Sequence, residues 1–460
     1  MTLCQRLKRI VSPQAPRFHD WVSAGRARIG LLEAGLITVC VGLSAAWFLW
    51  QPDVTSTNRP PAVELRRQDP RVVAPSRDAG APEVVALTED GIKLYSIGQY
   101  AEACQRFADA FERDQSNSTL RLNLARCFEG WGWQMLRAGR PEEANALFRQ
   151  GLRQAPESEP LLKGIGLSAI HAGRPEEALE PLEAVVHSRP DAEATLLLAK
   201  LYDQRDQTDR AITLLRKLLE HEPNHSEAGA LLAKLERERQ AESGFWRDES
   251  RHFIVKYRGV RELEIRRVVL QLLEELYDRV GGELAVYPPE KVTVILYPEE
   301  RFQEVTGAHR WASGLFDGKI RLPVGSLDGR SRALERLLTH EYTHALIHIA
   351  TRGRAPRWLH EGLAQHEEGM QLLPGMSAKS GITLASLEAV FQESDVERAR
   401  QGYQLALWVV RDLLARGGVH SIRQLLERVG QGEAIDAALS LVYGLPLAEL
   451  ERQWRVSLRG

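Results

Sequence analysis

The sequence predicts a multidomain chain of three unlike parts: an N-terminal transmembrane helix, an α-solenoid of helical repeats, and an α+β domain with a helical C-terminal part. Three observations predict it. Residues Ile29 to Trp50 are largely apolar, a six-residue phrase returns after 34 residues in the middle of the chain, and beyond Phe245 strand patterns alternate with helical ones. With 460 residues the chain can bury two or three separate cores. A formal net charge of −2 gives no basic bias, so nucleic acid is not an expected partner.

Residues 1–28 form a basic tail, with Arg6, Lys8, Arg9, Arg17, Arg26 and Arg28 against Asp20 alone. Glu33 is the sole charge in the following 29–50 segment, and Ala34 to Trp50 supplies 17 uncharged residues, the short end of what spans a bilayer. Trp47 and Trp50 suit an interface. Six Lys or Arg before the span and three after it (Arg59, Arg66, Arg67) favour a cytoplasmic amino terminus. Ser44-Ala45-Ala46 makes a poor cleavage site, so the expectation is an uncleaved signal anchor in the inner membrane, with most of the chain periplasmic. Residues 51–84 carry six prolines among polar residues and read as a semi-extended linker.

Residues 85–240 repeat. Gly139-Arg140-Pro141-Glu142-Glu143-Ala144 returns as Gly173-Arg174-Pro175-Glu176-Glu177-Ala178, and Pro156, Pro190 and Pro223 close successive units at spacings of 34 and 33. Gly91, Gly98, Tyr100, Ala103, Phe107 and Ala110 mark an earlier unit. A 34-residue helix-turn-helix unit with small residues at helix contacts and a closing proline resembles the tetratricopeptide repeat. Four units are expected, with Ser226 to Gln240 as a polar capping helix. The second unit is seven residues longer around Gly130-Trp131-Gly132-Trp133, which fits two added helical turns whose tryptophans fill core or meet a partner. Such arrays bind protein partners, and a protein partner is expected here by that analogy. Cys104 and Cys127 flank the turn near Ser116 at similar distances. A disulfide between them fits an oxidising compartment, and two separate buried thiols are the simpler expectation.

The 245–460 region begins with strand-like His252 to Tyr257, an amphipathic helix from Arg261 to Val280, and a second strand from Lys291 to Tyr297. A short helix follows Pro298, and Leu315 to Leu322 turns through Asp317-Gly318 as a strand or hairpin. Ser331 to Ile349 is a helix containing His340-Glu341-Tyr342-Thr343-His344, an H-E-x-x-H pattern. Positions i and i+4 share one helix face, so His340 and His344 can offer nitrogens to one ion, with Glu341 beside them to take a proton from water. Two histidines leave a tetrahedral Zn2+ short of one protein ligand. Glu361, in Trp358-Leu359-His360-Glu361-Gly362-Leu363-Ala364, is the candidate. The 16 intervening residues, punctuated by Gly353 and Pro356, allow a second helix to return alongside the first.

H-E-x-x-H plus W-x-x-E-G-x-A resembles the gluzincin clan of zinc metallopeptidases, the peptidase MA-like enzymes, and specifically its tetratricopeptide-linked, membrane-attached bacterial members. The resemblance implies a zincin-like fold for 245–460 and a hydrolase of protein or peptide substrates at the bacterial envelope. It implies His340, His344 and Glu361 as zinc ligands and Glu341 as general base. It also implies Tyr403, in Tyr403-Gln404-Leu405-Ala406, as an oxyanion stabiliser, against a plain core reading. Trp311 to Leu322 resembles the clan's strand beside the cleft, whose backbone can pair with an extended substrate. Gln365 stands where relatives carry a carboxylate that orients a ligand histidine. His348 continues the motif face but lies about 12 Å along the axis from His340, too far to share an ion. His360 and His366 are expected as polar surface or supporting residues. The metzincin pattern fails because Ile347 and Ala350 stand where it needs Gly and His. Two alternatives stay open: a peptide-binding scaffold that does not cut, and a zinc hydrolase of a non-peptide amide such as a cell-wall bond.

Overall fold

The computed structural model describes residues 72, 81–259, 261–306, 314–324, 329–373, 382–391 and 395–457. Ile29 to Trp50, the expected transmembrane helix, lies outside them, as do the basic tail and most of the linker. No helix among the described residues is long and apolar enough to cross a membrane. The expected fold class and the inner-membrane localisation are therefore corrected on that finding. The described architecture is a helical repeat array followed by an α+β domain.

The array runs through α1 (Pro82–Ser96), α2 (Tyr100–Arg113), α3 (Ser118–Arg137), α4 (Pro141–Gln154), α5 (Glu159–His171), a 3-10 turn at Pro175–Ala178, α6 (Leu179–Ser188), α7 (Ala192–Gln204), α8 (Thr208–His221) and α9 (Ser226–Ala241). The first helix begins inside the expected linker because Pro82 suits a first turn, where its missing N–H costs nothing. At 20 residues α3 absorbs the extra length of the second unit. Gly132 on α3 and Gly164 on α5 both abut the ring of buried Phe148 on α4, and a Cβ at either would lie 2.6–2.7 Å from it. Trp133 packs edge-on against the same ring at 5.0 Å, and Trp131 borders the first core cluster, so both tryptophans serve packing. Cys104 and Cys127 are joined as a disulfide, with Cα atoms 5.5 Å apart, where two separate thiols were the simpler expectation. Their helices cross closely enough to meet bridging geometry, a distance the sequence does not contain.

The second region contains β1 (Trp246–Glu249), β2 (Phe253–Tyr257), α10 (Arg261–Leu284), β3 (Val292–Tyr297), α11 (Glu299–Thr306), β4 (Leu315–Phe316), β5 (Ile320–Pro323), α12 (Arg332–Thr351) and α13 (Arg357–Glu367). Beyond it lie a 3-10 turn at Leu384–Ser386, then α14 (Leu387–Val390), α15 (Val396–Gly430, broken at Gly418), α16 (Ile435–Tyr443) and α17 (Leu447–Ser457). The sheet order is β1-β2-β3-β5-β4, with β2, β3 and β5 parallel and the two edge strands antiparallel to their neighbours. Strand β1 was not expected: its four residues, Trp-Arg-Asp-Glu, lie mostly exposed at an edge and show no apolar alternation.

Every residue of β3 is buried, because both sheet faces are covered. Val292, Val294 and Leu296 join the main core with α10, α12, α13 and α15. Ile295 and Tyr297 join a smaller one with Phe302 and with Ala241, the last residue of the array's final helix. The expected capping helix α9 thus covers one face of the sheet.

Charge locks the same junction. Arg321 on β5 is 0% exposed and contacts Glu238 at 3.0 Å, Asp317 at 3.2 Å and Glu242 at 3.4 Å, while donating to Tyr297 Oη at 2.8 Å. Lys319 reaches Asp203 on α7 at 2.8 Å, and Lys234 on α9 reaches Asp317 in the hairpin turn at 3.0 Å. Burial alone would raise the Asp317 pKa, but Arg321, Lys234 and Lys319 hold it well below the usual carboxylate range. A second seam fastens the end of α12: Arg352 in the left-handed conformation donates to Ala172 O at 2.9 Å, and Arg354 donates to His171 O.

Candidate metal centre

Helix α12 is capped by Ser331, whose hydroxyl accepts from Leu334 N at 3.2 Å, and buries one flank through Leu338, Tyr342, Ala345 and Leu346. The four-residue spacing puts His340 and His344 on another flank, ring centroids 4.8 Å apart. Helix α13 begins after Pro356 and carries Glu361 back toward them. Glu361 Oε2 lies 3.6 Å from His340 Nε2 and 3.7 Å from His344 Nε2, and the three side chains are buried. Both Nε2 atoms are buried without a hydrogen-bond partner, as are both carboxylate oxygens of Glu341.

Polar atoms are costly to bury unpaired, so this arrangement calls for a ligand. Tetrahedral bonds of about 2.0–2.1 Å put the donor atoms of a zinc site about 3.4 Å apart. The donor set and its spacing fit that ion.

Buried charges around the triad set its electrostatics. Burial works to lower the His340 pKa, but Glu368, Glu361 and Glu341 outweigh it and hold the group well above its usual value. Burial lowers His344 to about 3, with His340 adding to the effect. Burial opposes ionisation of Glu361, yet His344, His340 and Arg357 bring its pKa down to about 2. Glu341 is raised to about 8, first by burial and then by Glu361 and Glu368, with His340 opposing. A divalent cation among these groups would favour the carboxylate forms and the neutral imidazoles.

Glu368 is the residue that sequence reasoning missed. Its Oε1 lies 3.1 Å from His340 Nδ1, which fixes that ring and directs Nε2 toward the triad. The expected place for such a carboxylate is one turn beyond Glu361, at Gln365. Gln365 instead donates to Glu361 O and Tyr403 O, both at 3.0 Å, and ties α13 to α15. A position seven residues on returns to nearly the same helix face, so a search two turns downstream would have found Glu368. Replacing Glu368 by Ala is expected to weaken zinc affinity by roughly 10–100-fold, measured by competition with a chelating dye. Unchanged affinity would deny it the orienting role.

The other expected residues fall elsewhere. Tyr403 is buried with its ring 4.9 Å from Phe391, in the main core and outside the group of three. His348 also stands outside that group, near Phe316. His360 is buried rather than superficial, its ring 5.6 Å from His344, because α13 is enclosed on nearly every side. Trp311 to Ser313 lie outside the described residues, but Gly314, at the start of β4, rests against Glu341. A Cβ there would lie 2.6 Å from Glu341 Oε1. Gly314→Ala is therefore expected to lower kcat by roughly 10²-fold, the scale of an ångström's misplacement, with zinc content unchanged. If the strand simply moved aside, kcat would stay at the wild-type value.

Residues 320–460 match the family model of the peptidase MA superfamily. The chain carries a peptidase MA superfamily domain. Residues 135–194 and 169–235 match a tetratricopeptide repeat model, so tetratricopeptide repeats precede that domain. A peptidase-like hydrolase activity and protein–protein interaction are the functions these two matches indicate. Solved structures similar to part of the chain include MamA (AMB-1), at 18% identity and a TM-score of 0.27, covering 34% of this chain and 82% of that one. Another is a thermophilic TPR protein of Thermus thermophilus, at 18% identity and a TM-score of 0.20, covering 33% and 98%. No curated protein matches the sequence. In the peptidase MA superfamily domain, the matched region includes α12 and α13, and hence His340, Glu341, His344, Glu361 and Glu368.

Proposed function

We propose that this chain is a zinc-dependent metallopeptidase that hydrolyses peptide bonds of protein or peptide substrates, with the repeats recruiting substrate or a partner. One observation carries the reading: two buried, hydrogen-bond-free imidazole nitrogens face one carboxylate oxygen at 3.6 and 3.7 Å. His340, His344 and Glu361 would hold Zn2+. When bound, the ion supplies Lewis-acid polarisation of the scissile carbonyl and acidifies water.

The chain's own groups do the rest. Glu341, buried beside the histidines, takes a proton from the attacking water at its carboxylate and returns it to the leaving amine. Arg357 lies 3.7 Å from Glu361 Oε1, which steadies the oxygen turned away from the histidines and leaves Oε2 toward them. Glu368 holds the His340 ring. The edge strand β4 next to Gly314 offers main-chain groups to an extended substrate. No step is given to Tyr403.

The test is zinc per chain together with casein cleavage, for wild type and for His344→Ala. Wild type should retain zinc at this centre and cut casein, and the variant should lose both. Zinc-free wild type, or a His344→Ala variant that still cuts, would sink the reading. A wild type that holds zinc, cuts nothing and still captures peptides would establish the binding scaffold instead.

A further inference from the structure

A second group of ligand-type side chains sits where two helices end together. Glu283 lies in the last turn of α10, and His366 and Glu367 lie in the last turn of α13. One ligand atom from each of the three falls within 4.8 Å of the others. Helix carboxyl ends carry partial negative charge, so two of them meeting beside two carboxylates concentrate negative potential.

Among the described residues one cation pairs with these carboxylates, and only at the limit of ion-pair distance. Arg423 donates to the main-chain oxygens of Gly282 and Glu283, at 2.8 and 2.7 Å, and not to the Glu283 carboxylate. No described residue donates a hydrogen bond to that carboxylate. The Glu367 side chain is 4% exposed, and its one ion pair among the described residues is with Arg279, at 3.9 Å. Arg411 also bears on His366 electrostatically. His366 Nδ1 is buried without a hydrogen-bond partner.

We propose that Glu283, His366 and Glu367 form a second divalent-cation site, distinct from the His340–His344–Glu361 centre. One imidazole with two carboxylates selects a borderline ion such as Zn2+ over Ca2+ or Mg2+, which prefer all-oxygen ligands. The site clamps the end of α13 to the end of α10. It thereby steadies the helix that carries Glu361 and leads into Glu368. Its role is structural, and it stands independently of the peptidase reading.

The test uses the full chain, stripped with EDTA and re-equilibrated at a fixed low free Zn2+ concentration, with zinc counted per chain. Wild type should hold two ions. His366→Ala combined with Glu367→Gln should hold one, and His344→Ala should also hold one. Glu283→Gln, at a half-buried position, repeats the test should the double variant lose its helical circular dichroism. Zinc lost only in His344→Ala, with the His366 and Glu367 variant unchanged, would overturn this site and leave the first. Zinc kept in His344→Ala but lost in the His366 and Glu367 variant would support this site and sink the peptidase reading. No zinc in wild type would overturn both.

Discussion

Glu341→Gln is expected to reduce kcat/KM on a peptide substrate by roughly 10²–10⁴-fold, the range a positioned general base supplies. The zinc content and the unfolding midpoint should stay near wild type. Glu341 is not a member of the three-ligand group, and glutamine has almost the same volume. The loss should fall on kcat, because the proton is moved in the transition state and not in substrate binding. The carboxylate is fully buried and carries no hydrogen bond among the described residues, so its base strength is not spent on a structural partner. Single-turnover kinetics with the variant at full zinc loading would check the expectation. Activity within tenfold of wild type would mean that another group moves the proton.

Arg321→Met should be the most destabilising single change outside the core, at roughly 3–5 kcal/mol, the cost of stripping one partner from a buried ion network. Five carboxylates (Asp203, Asp206, Glu238, Glu242 and Asp317) face four cations (Lys234, Lys256, Lys319 and Arg321) at this junction. Methionine keeps the unbranched stem but removes the guanidinium, which leaves Glu238 and Asp317 buried against fewer positive charges. Exposed pairs such as Arg452–Glu449 should by contrast contribute little. Urea unfolding of the full chain measures the loss, and proteolysis between α9 and β1 reports whether array and sheet have come apart. A loss below about 1 kcal/mol would show that water, not Arg321, balances those carboxylates.

Two seams join the repeats to the domain that carries the candidate metal centre. Here α7 and α9 pair with the hairpin that borders Glu341, and the turn after α5 holds Arg352 and Arg354 at the end of the motif helix. The array is thus joined by direct contacts to the elements that carry the candidate metal centre.

Much of this chain is legible residue by residue. The 34-residue period and its small-residue positions indicate the array, because helices that touch every 34 residues must repeat their contacts. The H-E-x-x-H spacing puts two imidazoles on one face, because an α-helix returns after four residues. Strand β3 is readable from six consecutive apolar or β-branched residues, and β1 is not, since an exposed edge leaves no periodic trace. The carboxylate behind His340 is expected near Gln365 and stands at Glu368. Helix geometry permits either turn, and only the packing of α13 against α12 selects one. The apolar amino-terminal stretch leads to a membrane-spanning expectation that no described helix supports.

Whatever depends on local spacing can be read along the chain: the repeats, the motif helix, the proline that opens α13, and the residue types able to grip a cation. Folding alone settles what depends on distant segments meeting. It bonded Cys104 to Cys127, turned α9 from a polar cap into a sheet cover, and buried Arg321 among acids from 4 to 83 residues away. It also brought Glu283 beside His366 and Glu367. The difference is one of range: backbone periodicity is written within a few residues, whereas desolvation and charge pairing are set by whichever surfaces folding presses together.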